Sequence, residues 1–275
     1  MQIHETIASL RAVRRNVGGV ALVPTMGNLH EGHIALMKQA REHAETVIAT
    51  IFVNRLQFRP GEDFEKYPRT FQADCEKLLA AGIDHLFAPT EAEMYPQAQG
   101  FHVTPPPQQA NILDGEFRLG HFVGVATVVM KLFQITQPDA ALFGKKDYQQ
   151  LMVIRNMVRE LNLPIKIIAG ETIRAEDGLA LSSRNGYLTA KERTEAPKLF
   201  ETLTKAVDKI RSGNHEFPQL ERDCVDLLKA RNWAPDYVAI RKKTDLQLPT
   251  AHDTGLVVLA AAQLGSTRLI DNLEV

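Results

Sequence analysis

The sequence predicts an α/β protein: a Rossmann-like parallel sheet with helices on both faces, plus a smaller α+β C-terminal domain. Two observations predict this. Through the first two-thirds of the chain, short apolar runs alternate with stretches of helical periodicity, as strands joined by crossover helices do. Past about residue 170 the alternation stops, and a loop-rich stretch leads into long helices and three strand-like runs. The boundary is therefore set at 170, with a sheet domain over 1–170 and a smaller domain over 171–275.

The elements follow in order. "MQIHETIASLRAVRRN" carries Ile3, Ile7 and Leu10 at helical spacing, without the apolar core of a signal peptide, and reads as an amphipathic helix. Strands are expected at 20–23, 47–53, 85–88, 140–143 and 165–169. Between them, helices are expected at 34–43, 71–81, 123–135 and 151–161. "HFVGVATVVMKLFQI" is interrupted by Lys131 and Gln134 and is too short to span a bilayer, so it is read as a buried helix behind the sheet. "TPPPQQ" is a rigid surface connection. In the second domain, helices near 190–212 and 219–231 precede strands at 236–240, 256–261 and 267–271, with a Leu264-Gly265 turn before the last.

Composition narrows the function. Hydrophobic residues make up 44% and charged residues 24%, ordinary values for a globular protein. A formal net charge of −1 supplies no field for a polyanion, so nucleic acid is not expected as a partner. Cys75 and Cys224 lie far apart and form no metal-spaced or redox pair, which fits a reducing compartment.

Three polar clusters follow strands, at the carboxyl ends where open parallel sheets bind ligands. The first is "PTMGNLHEGH". Gly27 and Gly32 allow a sharp turn and close approach of a ligand. The helix starting near Gly32 points its positive dipole end at an anion, and His30 and His33 can donate to phosphate oxygens. No third metal ligand falls nearby, so no metal site is assigned. The second cluster, "FVNRLQF", offers Asn54 and Gln57, amides suited to a ligand rich in hydroxyls and carbonyls. The third, "FGKKDYQQ", has Gly144 for the turn and Lys145 or Lys146 to reach a polyphosphate. Its Asp147 can cap a helix, bind a ribose hydroxyl or hold a magnesium-linked water. Gln150 follows one turn later on the same side. Farther on, "LSSRNGYL" places Ser182, Ser183 and Arg184 on a loop able to clamp phosphates.

These residues carry a resemblance. "HEGH" resembles the histidine motif of the nucleotidyltransferase superfamily, and "LSSRN" its second, mobile phosphate-binding motif with Arg184 in place of a lysine. The ordered set "PTMGNLHEGH", "FVNRLQF", "YPRT", "RLGHFVGVATVVMKLF", "FGKKDYQQL", "DGLALSSRNGYL" and "RLIDN" resembles the pantoate–β-alanine ligases over essentially the whole chain.

The resemblance implies ATP-dependent joining of pantoate to β-alanine through pantoyl adenylate, releasing AMP and pyrophosphate, with Mg2+ required. It makes 1–170 the nucleotide- and pantoate-binding domain and 171–275 a lid. It assigns ATP to Met26, Gly27, Asn28, Leu29, His30, Glu31, Gly32 and His33, to Gly144, Lys145, Lys146 and Asp147, and to Ile173, Leu181, Ser182, Ser183 and Arg184. Pantoate falls to Gln57 and Gln150, with Gln57 also near the incoming β-alanine and Asn54 and Arg118 beside them. His33 is the proton donor, and His30, Lys146 and Arg184 share the catalytic work. A cytoplasmic homodimer is implied, with no membrane or nucleic-acid partner. An adenylyltransferase passing AMP to a phosphate would need cations where this chain has Gln57 and Gln150. A non-catalytic nucleotide sensor would have lost His33, Lys146 or Arg184, and all three are present.

Two positions depart from the family pattern. Arg55 replaces a proline in "FVNP" and Leu119 another in "RPGHF", and the alternation of side chains at a strand end turns Arg55 toward solvent.

Overall fold

The computed structural model describes residues 1–275. Its first elements are β1 (Gln2–His4), α1 (Ile7–Arg14), β2 (Val20–Thr25), α2 (Glu31–Arg41), β3 (Thr46–Ile51), α3 (Phe71–Ala80) and β4 (His85–Phe87). Three single-turn helices follow, α4 (Glu91–Met94), α5 (Pro107–Ala110) and α6 (Asp114–Phe117). Then come α7 (His121–Thr136), β5 (Ala140–Gly144), α8 (Tyr148–Glu160) and β6 (Lys166–Gly170). The remainder holds α9 (Ala190–Glu195), α10 (Lys198–Arg211), α11 (Phe217–Ala230), β7 (Ala234–Lys242), β8 (Leu256–Leu264) and β9 (Thr267–Glu274). The chain divides into two compact units, 1–144 with 150–171, and 145–149 with 172–275.

The first unit is built on six parallel strands in the order β1-β4-β3-β2-β5-β6. Successive side chains of a strand face opposite sides, and both sides are apolar here. Ala21, Val23, Val47, Ala49, Leu86, Ala140 and Leu142 pack with Ile34 and Met37 of α2 and Leu78 of α3. The alternate residues Leu22, Ile48, Phe87 and Phe143 are equally buried, and Phe143 meets Phe133 of α7 edge to face. Strands buried on both faces read as unbroken apolar runs, which is how they were visible in the sequence. Strand order reverses at β2, flanked by β3 and β5, so the ligand-binding crevice of such a sheet lies at the carboxyl ends of these strands.

The second unit is an antiparallel sheet, β7-β8-β9, with α10 and α11 contributing to its core through Leu199, Leu203, Leu220 and Leu228. Gly265, at φ +59°, makes the tight turn between β8 and β9.

Two expectations are corrected. Residues 2–4 are not helical but pair with β4 as an edge strand, leaving Ile3 exposed. The helix starts only after Thr6, whose side chain caps it by accepting from the Ser9 N–H. A three-residue strand is too short to show a period. The helix expected over 190–212 breaks at Ala196-Pro197, because proline lacks the N–H that a continuing helix would use. Pro107 starts a single helical turn, as proline at a first helical position can, within the expected connection. No helix is long and apolar enough to cross a membrane.

Candidate active site

The loop after β2 is held by α3. Gly27 sits at φ +83°, and a Cβ there would come within 3.1 Å of the Asp74 carboxylate. Asp74, 1% exposed, accepts from the N–H groups of Asn28 (2.9 Å) and Leu29 (2.8 Å) and from the Thr70 hydroxyl (3.0 Å). One turn later, Lys77 Nζ donates to the Leu29 carbonyl at 2.6 Å. Both polar groups of the Leu29 backbone are thus bound by one helix.

This loop delivers two histidines to the start of α2. His30 is the N-cap, and its Nδ1 accepts from the Gly32 N–H at 3.2 Å. His33 Nδ1 accepts from the His30 N–H at 3.3 Å, and the rings lie 4.1 Å apart. A nitrogen that accepts carries no proton, so both neutral imidazoles are in the Nε2–H form. Gly32 makes this possible, since a Cβ there would press on the His30 ring at 2.9 Å. Each ring is therefore a hydrogen-bond donor at a helix N-terminus, a place that favours anions.

At the end of β3, Asn54 Nδ2 donates to Gln57 Oε1 (3.1 Å) and to the Gly124 carbonyl (3.2 Å), and Gln57 Nε2 donates to Met26 Sδ at 3.1 Å. Gly124 has to be glycine, because a Cβ there would lie 2.2 Å from the Leu56 carbonyl oxygen. Arg118 forms a two-pronged ion pair with Glu62 at 2.7 and 3.0 Å, and its Nη2 lies 3.4 Å from the Gln57 carbonyl. Arg55 is exposed, pairs with Glu65 and Glu91, and lies over the Phe64 ring. A cavity of about 320 Å³ adjoins this region, lined among others by Met26, Gly27, Val53 and Arg69.

His121 closes the network. Its Nδ1 donates to the Gln57 carbonyl at 2.8 Å, and Nε2 accepts from Arg118 at 3.1 Å. Burial, and after it the Arg118 charge, push the imidazole down to about 4. A folded-state value below the unfolded one means that stability is full above about 6.5 and drains away as pH falls toward 4. The loss expected from this group is about 3 kcal/mol. Urea unfolding across this range should show the decline, and His121→Gln should flatten it. Glu62 adds to the loss from the acid end of this window downward: burial opposes its ionisation, but Arg118 and Arg59 hold it down at about 2, so its contribution drains away below about 4.5.

The second unit collects the remaining residues. Lys145, Lys146 and Asp147 form a 3-10 turn whose first two carbonyls both accept from Asn272 Nδ2 at 2.9 Å. Lys145 pairs with Glu274 at 3.4 Å, while Lys146 has no carboxylate partner. Next to Asn272, Asp271 takes both prongs of Arg174 at 2.7 and 2.8 Å. Arg174 also reaches the Gly178 carbonyl, and the Leu181 N–H donates to Ile173. That ties down the loop ahead of Ser182, whose Oγ accepts from the Arg184 N–H at 3.2 Å. Ser183 and Arg184 are half-buried.

The structure therefore gathers Met26 to His33, Asn54, Gln57 and Arg118 in the first unit, which also contains Gly144 and the half-buried Gln150. It gathers Lys145 to Asp147, Ile173 and Leu181 to Arg184 in the second. Asp74, Lys77, Tyr95 and Asn272 were not singled out from the sequence. Only Asn272 had a signal there, within "RLIDN".

The sequence model of the pantoate–β-alanine ligase family matches residues 2–274. Pantothenate synthetases of Chromobacterium violaceum and Leptothrix cholodnii are 58% and 56% identical, covering all of this chain and 99% and 100% of theirs. The crystal structure of pantothenate synthetase from Thermus thermophilus superposes with a TM-score of 0.95 at 43% identity, covering 100% of this chain and 99% of that one. The Francisella tularensis pantoate-β-alanine ligase, solved with β,γ ATP and β-alanine, gives 0.85 at 35% identity, covering 100% and 97%. Matched from end to end, with its polar motifs at the ends of a parallel sheet, the chain belongs to the pantoate–β-alanine ligase family.

Proposed function

We propose that the protein condenses pantoate with β-alanine at the expense of ATP, forming pantothenate with AMP and pyrophosphate. The pantoate carboxylate attacks the α-phosphorus and pyrophosphate leaves. The β-alanine amine then attacks the carbonyl of the pantoyl adenylate, and AMP leaves. Family membership supports the overall reaction, and the ATP and β-alanine held by the Francisella relative support the substrates.

The observation that carries the first step is the histidine pair. Both rings are fixed as Nε2–H donors by the main chain they themselves cap. Such preorganised donors stabilise charge that grows on phosphate oxygens without having to reorient during the reaction. In this reading His33 supplies the proton or hydrogen bond, and Lys146 and Arg184 share the charge of the departing pyrophosphate. The remaining ATP residues are the other members of the "MGNLHEGH", "GKKD" and "LSS" motifs with Ile173. Lys145 acts in its turn, paired with Glu274. Gln57 and Gln150 take pantoate, with Asn54 and Arg118 supporting Gln57.

No cluster of three His, Cys, Asp or Glu residues suited to a metal is present. In this reading Mg2+ enters as the magnesium complex of ATP, which needs few protein ligands, and Asp147 is the carboxylate proposed to meet it. The enzyme is proposed to act as a homodimer in the cytoplasm.

With purified protein, AMP and pyrophosphate should appear only when pantoate and Mg2+ are present, and pantothenate only when β-alanine is added. Release of ADP and phosphate, or equal ATP cleavage without pantoate, would overturn the reading.

A further inference from the structure

Tyr95 stands just past α4, outside every motif that carries nucleotide or amide chemistry. Its hydroxyl donates to Asn54 Oδ1 at 2.7 Å. Asn54 is 1% exposed, so its amide has no water to fall back on. The Gly124 main-chain carbonyl can only accept, which settles that the NH2 end of Asn54 faces α7. Oδ1 then faces Tyr95, and the second N–H of Asn54 goes to Gln57 Oε1. With its oxygen occupied, Gln57 turns its own NH2 toward Met26, at the carboxyl end of β2.

We propose that Tyr95 is a positioning residue of the pantoate site, holding Asn54 so that Gln57 presents N–H donors, not its carbonyl, to an oxygen-rich acid. The inference rests on the reaction proposed above. A substrate that brings a carboxylate and hydroxyls needs donors, and a carboxamide rotated by half a turn would meet it with an acceptor. The tyrosine is well placed to hold this polarity. Its ring packs 5.9 Å from Phe52 and lies 4.8 Å from Lys131 Nζ. Burial raises the hydroxyl above the usual tyrosine range, so it stays a donor throughout the working pH range.

Tyr95→Phe keeps the ring and removes only the donor. It should raise the KM for pantoate by about tenfold, the scale of one buried acceptor left unmatched. The KM for ATP and kcat should stay within about twofold, the two changes being separable because ATP binding does not depend on Gln57. In a Gln57→Ala background the same substitution should add nothing. Gln57→Glu, which keeps the shape but replaces donors by acceptors, should weaken pantoate binding more than Gln57→Ala does. An unchanged pantoate KM in Tyr95→Phe overturns the proposal. So does a loss that persists undiminished on the Gln57→Ala background, or a parallel fall in every kinetic constant, since those are the marks of a merely structural tyrosine. If wild-type protein forms no pantothenate from the three substrates, the reaction itself has been misread; wild-type turnover with an unaffected Tyr95→Phe overturns the relay alone.

Discussion

His33→Ala is expected to slow adenylate formation by about 10²-fold or more, the scale for losing one preorganised donor to developing charge. ATP affinity should change far less. The asymmetry follows from the capping arrangement: the ring is already aimed when substrate arrives, and its contribution grows only as the α-phosphate and pyrophosphate gain charge. Lys146→Ala should behave alike for a related reason, since its ammonium lacks a carboxylate partner whereas Lys145 is paired with Glu274. Single-turnover formation of AMP from ATP and pantoate reads this directly. A wild-type rate in either variant contradicts the assignment.

The second large effect is expected at Asp74, which is assigned no part in the chemistry itself. Its carboxylate takes three donors, two of them main-chain N–H groups of the histidine loop. Asp74→Asn sets an NH2 against at least one N–H and leaves it unmatched in a buried place. The expected loss of stability is about 2–4 kcal/mol, each hydrogen bond to a charged group contributing about 1.5–3. Catalysis should fall as well, because Asn28 and Leu29 carry His30 and His33 into position. Denaturant unfolding and single-turnover kinetics on one preparation separate the two losses. A variant as stable and as fast as wild type would mean that the loop holds itself.

How much of this was legible depended on the distance over which each cause acts. The strands were readable because both faces of the sheet are buried and leave unbroken apolar runs, as in "VALV" and "TVIATI". The histidine loop was readable because glycines, a strand end and a helix start all lie within ten residues. Asp74 was not, because "QADCEK" has the look of an ordinary exposed charged helix face and its partner loop is 46 residues away. Tyr95 and Asn54 are 41 apart, and nothing local marks the tyrosine as a donor. Where the sequence reading failed outright, a local signal was outweighed: Ile3 fell in helical register by chance while its backbone pairs with β4, and Pro197 cut a helix whose apolar spacing ran straight through it.

The anchoring of the lysine turn by β9 has a consequence for how the protein comes into being. Asn272, which holds the carbonyl of Lys145, lies 127 positions later in the chain. On a ribosome, that separation is on the order of ten seconds of synthesis. For most of that interval all six strands of the parallel sheet already exist, yet the turn bearing Lys146 lacks the Asn272 amide that binds its carbonyls. Closing so long a loop is also among the slower events of refolding. A nascent or half-refolded chain is therefore expected to own its histidine pair well before it owns its lysine turn, and nucleotide handling matures with the pairing of β9.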